Sequence, residues 1–170
     1  DIEDWLSKQS QGDARTQLLR AAVAVRARDY NIALRLLTDA KLGLDGRERV
    51  VAELLHVGID VQTGRFEAAE SRLAHLVAEH PDNADVVDFE IWLTARRGSH
   101  ADALSIAQKA AARFTEDGRF HSHAALLAFN VDDRDAMRDA LDSAHDVDPD
   151  HPGAWHGKGL YAHYVEPHGA

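Results

Sequence analysis

The chain contains no cysteine, which excludes disulfides and thiol chemistry and fits either redox compartment. No apolar run approaches the roughly 18 residues that a membrane-spanning helix needs. The opening Asp1-Ile-Glu-Asp-Trp5 is acidic and lacks a basic region followed by an apolar run, so no signal peptide is read there. It also lacks an initiator methionine, as expected of a processed product or a piece of a longer protein. There is no basic stripe, and the net charge is −10, so no nucleic-acid partner is expected. Catalytic signatures are missing as well: no Gly-x-Ser-x-Gly, no phosphate-cradling glycine loop and no His-Glu-x-x-His. Serine is sparse and none has an evident paired base. The expectation is therefore no enzyme activity and no cofactor.

What is present is ordinary for a folded protein. Its 170 residues are enough for one domain with a sizeable core, and 45% are apolar and 28% charged, within the globular range. Of the 19 basic residues 15 are arginine. With abundant alanine, that bias points to a GC-rich bacterial source, and hence to the bacterial cytoplasm or periplasm. No Gly/Ser-rich linker divides the chain.

The informative stretch runs from Gly64 to Asn83. Phe66, Ala69, Leu73 and Leu76 recur at spacings of three and four and share one helical face. Pro81-Asp82-Asn83 then stops the helix and turns the chain. The same pattern occurs four times, anchored at Arg28, Gly64, Gly98 and Asp132. Five residues after each anchor stand Ala33, Ala69, Ala103 and Met137. Nine after stand Leu37, Leu73, Ala107 and Leu141, and twelve after stand Ala40, Leu76, Ala110 and Ala144. Small residues at the fifth and twelfth positions let two helices approach closely, and a larger one at the ninth fills the space between turns.

This pattern resembles the tetratricopeptide repeat (TPR) family, in which helices A and B form a hairpin of about 34 residues. Gly64-Arg-Phe-x-x-Ala69 with Pro81 matches the helix B signature well. Arg28 and Asp132 depart from the usual glycine, and Met137 from the usual alanine. The matches cover about residues 14–164. The fold expected is all-α: a right-handed superhelical array of α-α hairpins, a TPR-like α-solenoid, closed by a terminal capping helix. Residues 1–12 would be a lead-in segment or short helix carrying Trp5 onto the first repeat, or a frayed end. Residues 13–170 would be one domain, with repeats at about 13–46, 47–82, 83–116 and 117–150 and a capping helix at 153–164. Asp13 would cap the first A helix (14–27), and Asn83 the third (84–97). The tail after Tyr164 reads as loop.

In the family the A helices line the concave face. Counting back from the anchors, the resemblance places Leu19, Val23 and Arg26 there, then Leu55, Ile59 and Gln62. Phe89, Leu93 and Arg96 follow, then His123, Leu127 and Asn130, and on the last helix His156, Leu160 and His163. Each set is spaced i, i+4, i+7 on one helical face. The register of the third and fourth repeats is open by one residue. A shift of one turns Trp92 to the groove, where it would be an anchor. A strip that is apolar and then polar suits an amphipathic helix or extended peptide, while the same apolar residues could instead bury between neighbouring A helices. The lysine and asparagine of a carboxylate clamp are missing from the early A helices.

Eleven histidines thicken toward the C-terminus. His121 and His123 are two apart and point to opposite sides of a helix. His156 and His163 are separated by about 10 Å of helical rise. Neither pair can hold one ion, and no metal site is expected. Asp146-Val-Asp148-Pro-Asp150 lacks the glycine and glutamate of a calcium loop. The eight aspartates from Asp132 to Asp150 form a charged outer face or a docking patch for a basic partner. The function expected is a protein–protein interaction module or adaptor that binds a peptide or amphipathic helix, as the recognition part of a larger assembly. The alternatives are a self-assembling scaffold, hence a homo-oligomer, and a chaperone of a secretion substrate.

Overall fold

The computed structural model describes the backbone of residues 2–150 and 152–164, and side chains from 13 to 163 except 151 and 154. Among the described residues all regular structure is α-helical. The helices are α1 (Ile2–Arg26), α2 (Tyr30–Ala40), α3 (Gly46–Gln62), α4 (Phe66–Glu79), α5 (Ala84–Arg96), α6 (His100–Arg113), α7 (Gly118–Asn130), α8 (Arg134–Val147) and α9 (Pro152–Tyr164). They form two compact units, residues 1–80 and 81–170, each built of hairpins.

In the first unit Ala14, Leu18, Ala21 and Ala24 of α1 pack on Ala33, Leu37 and Ala40 of α2, and Ala52 and Ile59 of α3 join them. In the second, Val87 and Ile91 of α5 meet Ala103, Ala107 and Ala110 of α6, Phe120 and Ala124 of α7, and Met137 and Leu141 of α8. All twelve residues at the fifth, ninth and twelfth positions after the anchors are buried, none more than 5% exposed. α9 adds Leu160 and Tyr161 to the second core. It comes so close to α8 that a Cβ on Gly157 would lie 2.4 Å from a Leu141 methyl carbon.

The anchors share one backbone geometry. Arg28, Gly64, Gly98 and Asp132 all have positive φ, at 61°, 79°, 87° and 57°. Each ends an A helix with the same pair of hydrogen bonds. In the first repeat the Arg28 N–H donates to the Val25 carbonyl at 3.0 Å and the Asp29 N–H to the Ala24 carbonyl at 2.9 Å. In the second, Gly64 donates to Val61 at 3.2 Å and Arg65 to Asp60 at 2.8 Å. Ser99 to Thr94 and Asp133 to Ala128 repeat the longer bond at 3.3 and 2.9 Å. The two repeats without glycine have an aspartate at the next position, and it caps helix B. Asp29 Oδ1 accepts from the Ile32 N–H at 3.3 Å and Asp133 Oδ1 from the Ala136 N–H at 3.0 Å. Arg65 and Ser99, which follow the glycines, make no such side-chain bond. The caps offset part of the left-handed strain.

A left-handed L-residue costs about 1–2 kcal/mol, against about 0.5–1 kcal/mol of extra glycine entropy. Arg28→Gly and Asp132→Gly are therefore expected to stabilise by about 0.5–1 kcal/mol. Gly64→Ala and Gly98→Ala should cost about 1 kcal/mol, although a Cβ meets nothing within 4 Å at either site. Urea midpoints read this directly, and a loss of stability in Arg28→Gly would contradict it.

Two expectations shift at the first helix. Residues 2–12 are helical and run unbroken into α1, so Asp13 lies inside the helix and caps nothing. Trp5 lies outside the described side chains, and the tail after Tyr164 outside the described residues. Asn83 caps α5 as expected, its Oδ1 accepting from the N–H groups of Asp85 at 3.0 Å and Val86 at 3.2 Å.

Candidate functional site

The candidate site in the second unit is the exposed face shared by α5 and α7. Pro81-Asp82 and the Asn83 cap start α5, which then repeats Asp85, Asp88/Phe89, Trp92 and Arg96 on one side. α7 starts at Asp117, whose Oδ1 accepts from the Arg119 N–H at 3.2 Å. The Arg119 guanidinium returns to Asp117 at 2.7 Å and reaches Asp85 at 3.3 Å and Asp88 at 3.8 Å. The hydrogen bond to Asp117, ahead of the surrounding carboxylate charge, raises the Arg119 pKa. One turn along, His123 Nε2 lies 2.7 Å from Asp88 Oδ1. The seam between α5 and α7 is thus held by the Arg119 ion pairs and the His123–Asp88 contact.

Beside it stands an aromatic pair. Phe89 and Trp92 meet edge to face with centroids 5.7 Å apart, and the Arg96 guanidinium lies 5.9 Å from the Trp92 ring centre. Trp92 is 36% exposed, so the ring is steadied from both sides and still open to solvent. Nearby Glu90 is half-buried, and burial raises its pKa.

The expected groove residues divide by position. Ile59, Leu93 and Leu127 are 0%, 4% and 6% exposed. They belong to the interior, and the groove role expected of them is corrected. Burying a branched aliphatic side chain contributes about 1.5–3 kcal/mol, which a solvent-facing groove would forgo. In the third repeat Trp92 is exposed and Leu93 is buried. Leu55, Phe89 and His123 are half-buried, as is Leu160, which packs on the core. Arg26, Gln62, Arg96 and Asn130 are exposed, as are His156 and His163. Leu19 and Val23 are exposed too, at 69% and 67%. Asp85, Asp88 and Arg119 were not anticipated. The signal was available: Arg119 and Asp85 are 34 residues apart, one repeat length, and His123 and Asp88 are 35, one residue more.

The first unit has a different polar centre. Asp60 is buried, with Arg65 at 2.7 Å and Arg72 at 3.5 Å, and Arg72 also holds Glu53 at 2.5 Å. A cleft of about 530 Å³ between α3 and α4 is lined by Arg49, Glu53, Arg72, His75 and Glu79. Nearby, burial first and then the Arg72 charge lower the His56 pKa, against the opposing Glu53 and Asp60. In the second unit burial likewise lowers that of His121. A base with a lowered folded pKa binds its proton more readily when unfolded. Its contribution to stability is complete above the unfolded value of 6.5 and is lost as pH falls toward the folded one. The melting temperature is expected to drop as pH falls below about 6.5, and less so in His56→Gln. An unchanged pH slope in that variant would rule out His56 as a source.

Among the described residues no group of three or more His, Asp or Glu is placed to hold a metal, and no helix is long and apolar enough to cross a membrane. His168 and His151 lie outside the described residues.

No protein-family model matches the sequence, and no curated protein matches it. Solved structures do match. Pseudomonas aeruginosa PilF superposes with a TM-score of 0.72 at 11% identity, covering 91% of this chain and 71% of PilF. A thermophilic TPR protein of Thermus thermophilus gives 0.67 at 18%, over 89% and 83%. YrrB, described as a TPR protein with an unusual peptide-binding site, gives 0.64 at 20%, over 86% and 75%. The chain has a TPR-like helical-repeat fold. The likeness is one of fold, and in this TPR-like chain the buried small residues and the left-handed A–B turns are its physical basis.

Proposed function

We propose that this TPR-like protein is an interaction module whose α5–α7 face takes a peptide or amphipathic helix from a protein partner. The observation that carries the reading is the half-exposed Trp92, braced by Phe89 at 5.7 Å and by Arg96 at 5.9 Å. A large aromatic side chain that is held rigid loses little entropy on binding and contributes much contact area. The paired Asp88 and His123 beside it supply polar groups already fixed in position, which orient a ligand backbone without further ordering cost. The peptide-binding description of YrrB agrees with this class of function.

The test is cross-linked capture from the source lysate, comparing the native protein with Trp92→Ala and Arg96→Glu. Because the Trp92 side chain is partly solvent-facing, the alanine variant should keep its helical signal and melt within about 1 kcal/mol of the native protein. A partner captured by the native protein is expected to lose about 2 kcal/mol, or roughly 30-fold, in affinity for Trp92→Ala. Equal capture by both variants would move the binding site away from α5–α7.

A further inference from the structure

The charges along the α5 face are sorted by sign. Asp85, Asp88, Phe89, Trp92 and Arg96 lie within about 100° of one another around the helix, and the rise from Asp85 to Arg96 is about 16 Å. The first end is acidic. Asp85, Asp88 and Asp117 all reach the one guanidinium of Arg119, at 3.3, 3.8 and 2.7 Å. His123, 2.7 Å from Asp88, adds at most one further positive charge. Three carboxylates thus face two basic groups at most, and the Asp85 side chain is half-exposed. The other end is basic. Arg96 is exposed, lies 5.9 Å from the Trp92 ring centre and has no carboxylate partner among the described residues.

The aromatic pair therefore stands between an excess of negative charge and an unpaired guanidinium. Resting on the peptide-binding reading of this face, we propose that its ligand is a peptide segment of matching polarity. It carries a lysine or arginine over Asp85 and Asp88, a large apolar side chain on Trp92, and an aspartate or glutamate at Arg96. The apolar contact supplies affinity. The end charges fix the direction in which the segment lies, because the reversed segment brings like charges together at both ends. A segment of one sign satisfies one end only. The chain's net charge of −10 draws in a basic segment but does not orient it.

A displayed library of random peptides tests this, selected on the full chain and counter-selected on Trp92→Ala. Peptides roughly twelve residues long span the face whether helical or extended. Those that need Trp92 are expected to share one order: a basic residue on one side of a large apolar residue and an acidic one on the other. The tightest is then remade with its two charged residues exchanged. The exchanged peptide should bind the native protein about tenfold more weakly, because each exposed pair turns from attraction to repulsion. Arg96→Glu, at an exposed position and checked for unchanged helicity, should lose affinity for the first peptide. It should regain that affinity when the peptide's acidic residue is replaced by lysine. Trp92-dependent peptides that tolerate the exchange, or that carry charge of one sign only, overturn the proposal and leave the peptide-binding reading standing. If no peptide depends on Trp92, both fall.

Discussion

Ile59→Glu is expected to destabilise the first unit by about 3–5 kcal/mol, whereas Val23→Glu, at the matching position one repeat earlier, is expected to leave its stability nearly unchanged. The two residues have the same place in the repeat and similar chemistry. Ile59 is 0% exposed within the α1–α2–α3 core and Val23 is 67% exposed. The buried residues that share the core with Ile59 are alanines and leucines, which offer a carboxylate there no hydrogen bond or counter-charge. An uncompensated buried charge costs about 3–5 kcal/mol, a large part of a stability of about 5–15 kcal/mol. At Val23 the carboxylate stays in water, so the cost is within about 0.5 kcal/mol. Urea denaturation followed by circular dichroism measures both. Were Ile59→Glu as stable as Val23→Glu, the burial assigned to the second repeat would be wrong.

Phe120→Ala is expected to cost about 3–5 kcal/mol in the second unit. Phe120 is among the largest fully buried side chains and stacks on Phe114 with centroids 5.1 Å apart. It belongs to the core shared by α5, α6, α7 and α8, so truncation leaves a cavity lined by several helices. Phe114 is only half-buried, and Phe114→Ala should cost less because water can enter the space left behind. Equilibrium unfolding gives the comparison. A cost below about 1 kcal/mol for Phe120→Ala would mean that the surrounding alanines collapse into the cavity, contrary to the usual partial relaxation of packed cores.

The repeat was legible because close helix packing tolerates so few residue types. Ala33, Ala69 and Ala103 sit where two helices touch, and a larger residue is excluded there unless the neighbours shrink. Leu37, Leu73 and Leu141 fill the matching gaps. The A–B turns were legible at Gly64 and Gly98 from glycine itself. At Arg28 and Asp132 the left-handed turn is imposed by the hairpin and carries no glycine signal. The first helix was less legible, because Asp13 has the chemistry of a cap whether or not a helix already runs through it.

The candidate face was legible only in part. Helical spacing places Phe89, Trp92, Leu93 and Arg96 on α5, but one residue of register, about 100° of rotation, exchanges the buried side for the exposed one. The seam of Asp85, Asp88, Arg119 and His123 joins two helices, and spacing within either helix says nothing of it.

What the sequence determined by itself is the array: its period, its A and B helices, its turns, and the small residues at each crossing, since these follow from local sterics repeated along the chain. What only the tertiary structure decided is which equivalent positions are covered. Leu55 and Ile59 are sheltered by a preceding hairpin while Leu19 and Val23 are open, and Leu93 is buried while Trp92 is not. Identical local signals part there because burial depends on which neighbour lies against the helix, a property of packing that no single helix carries.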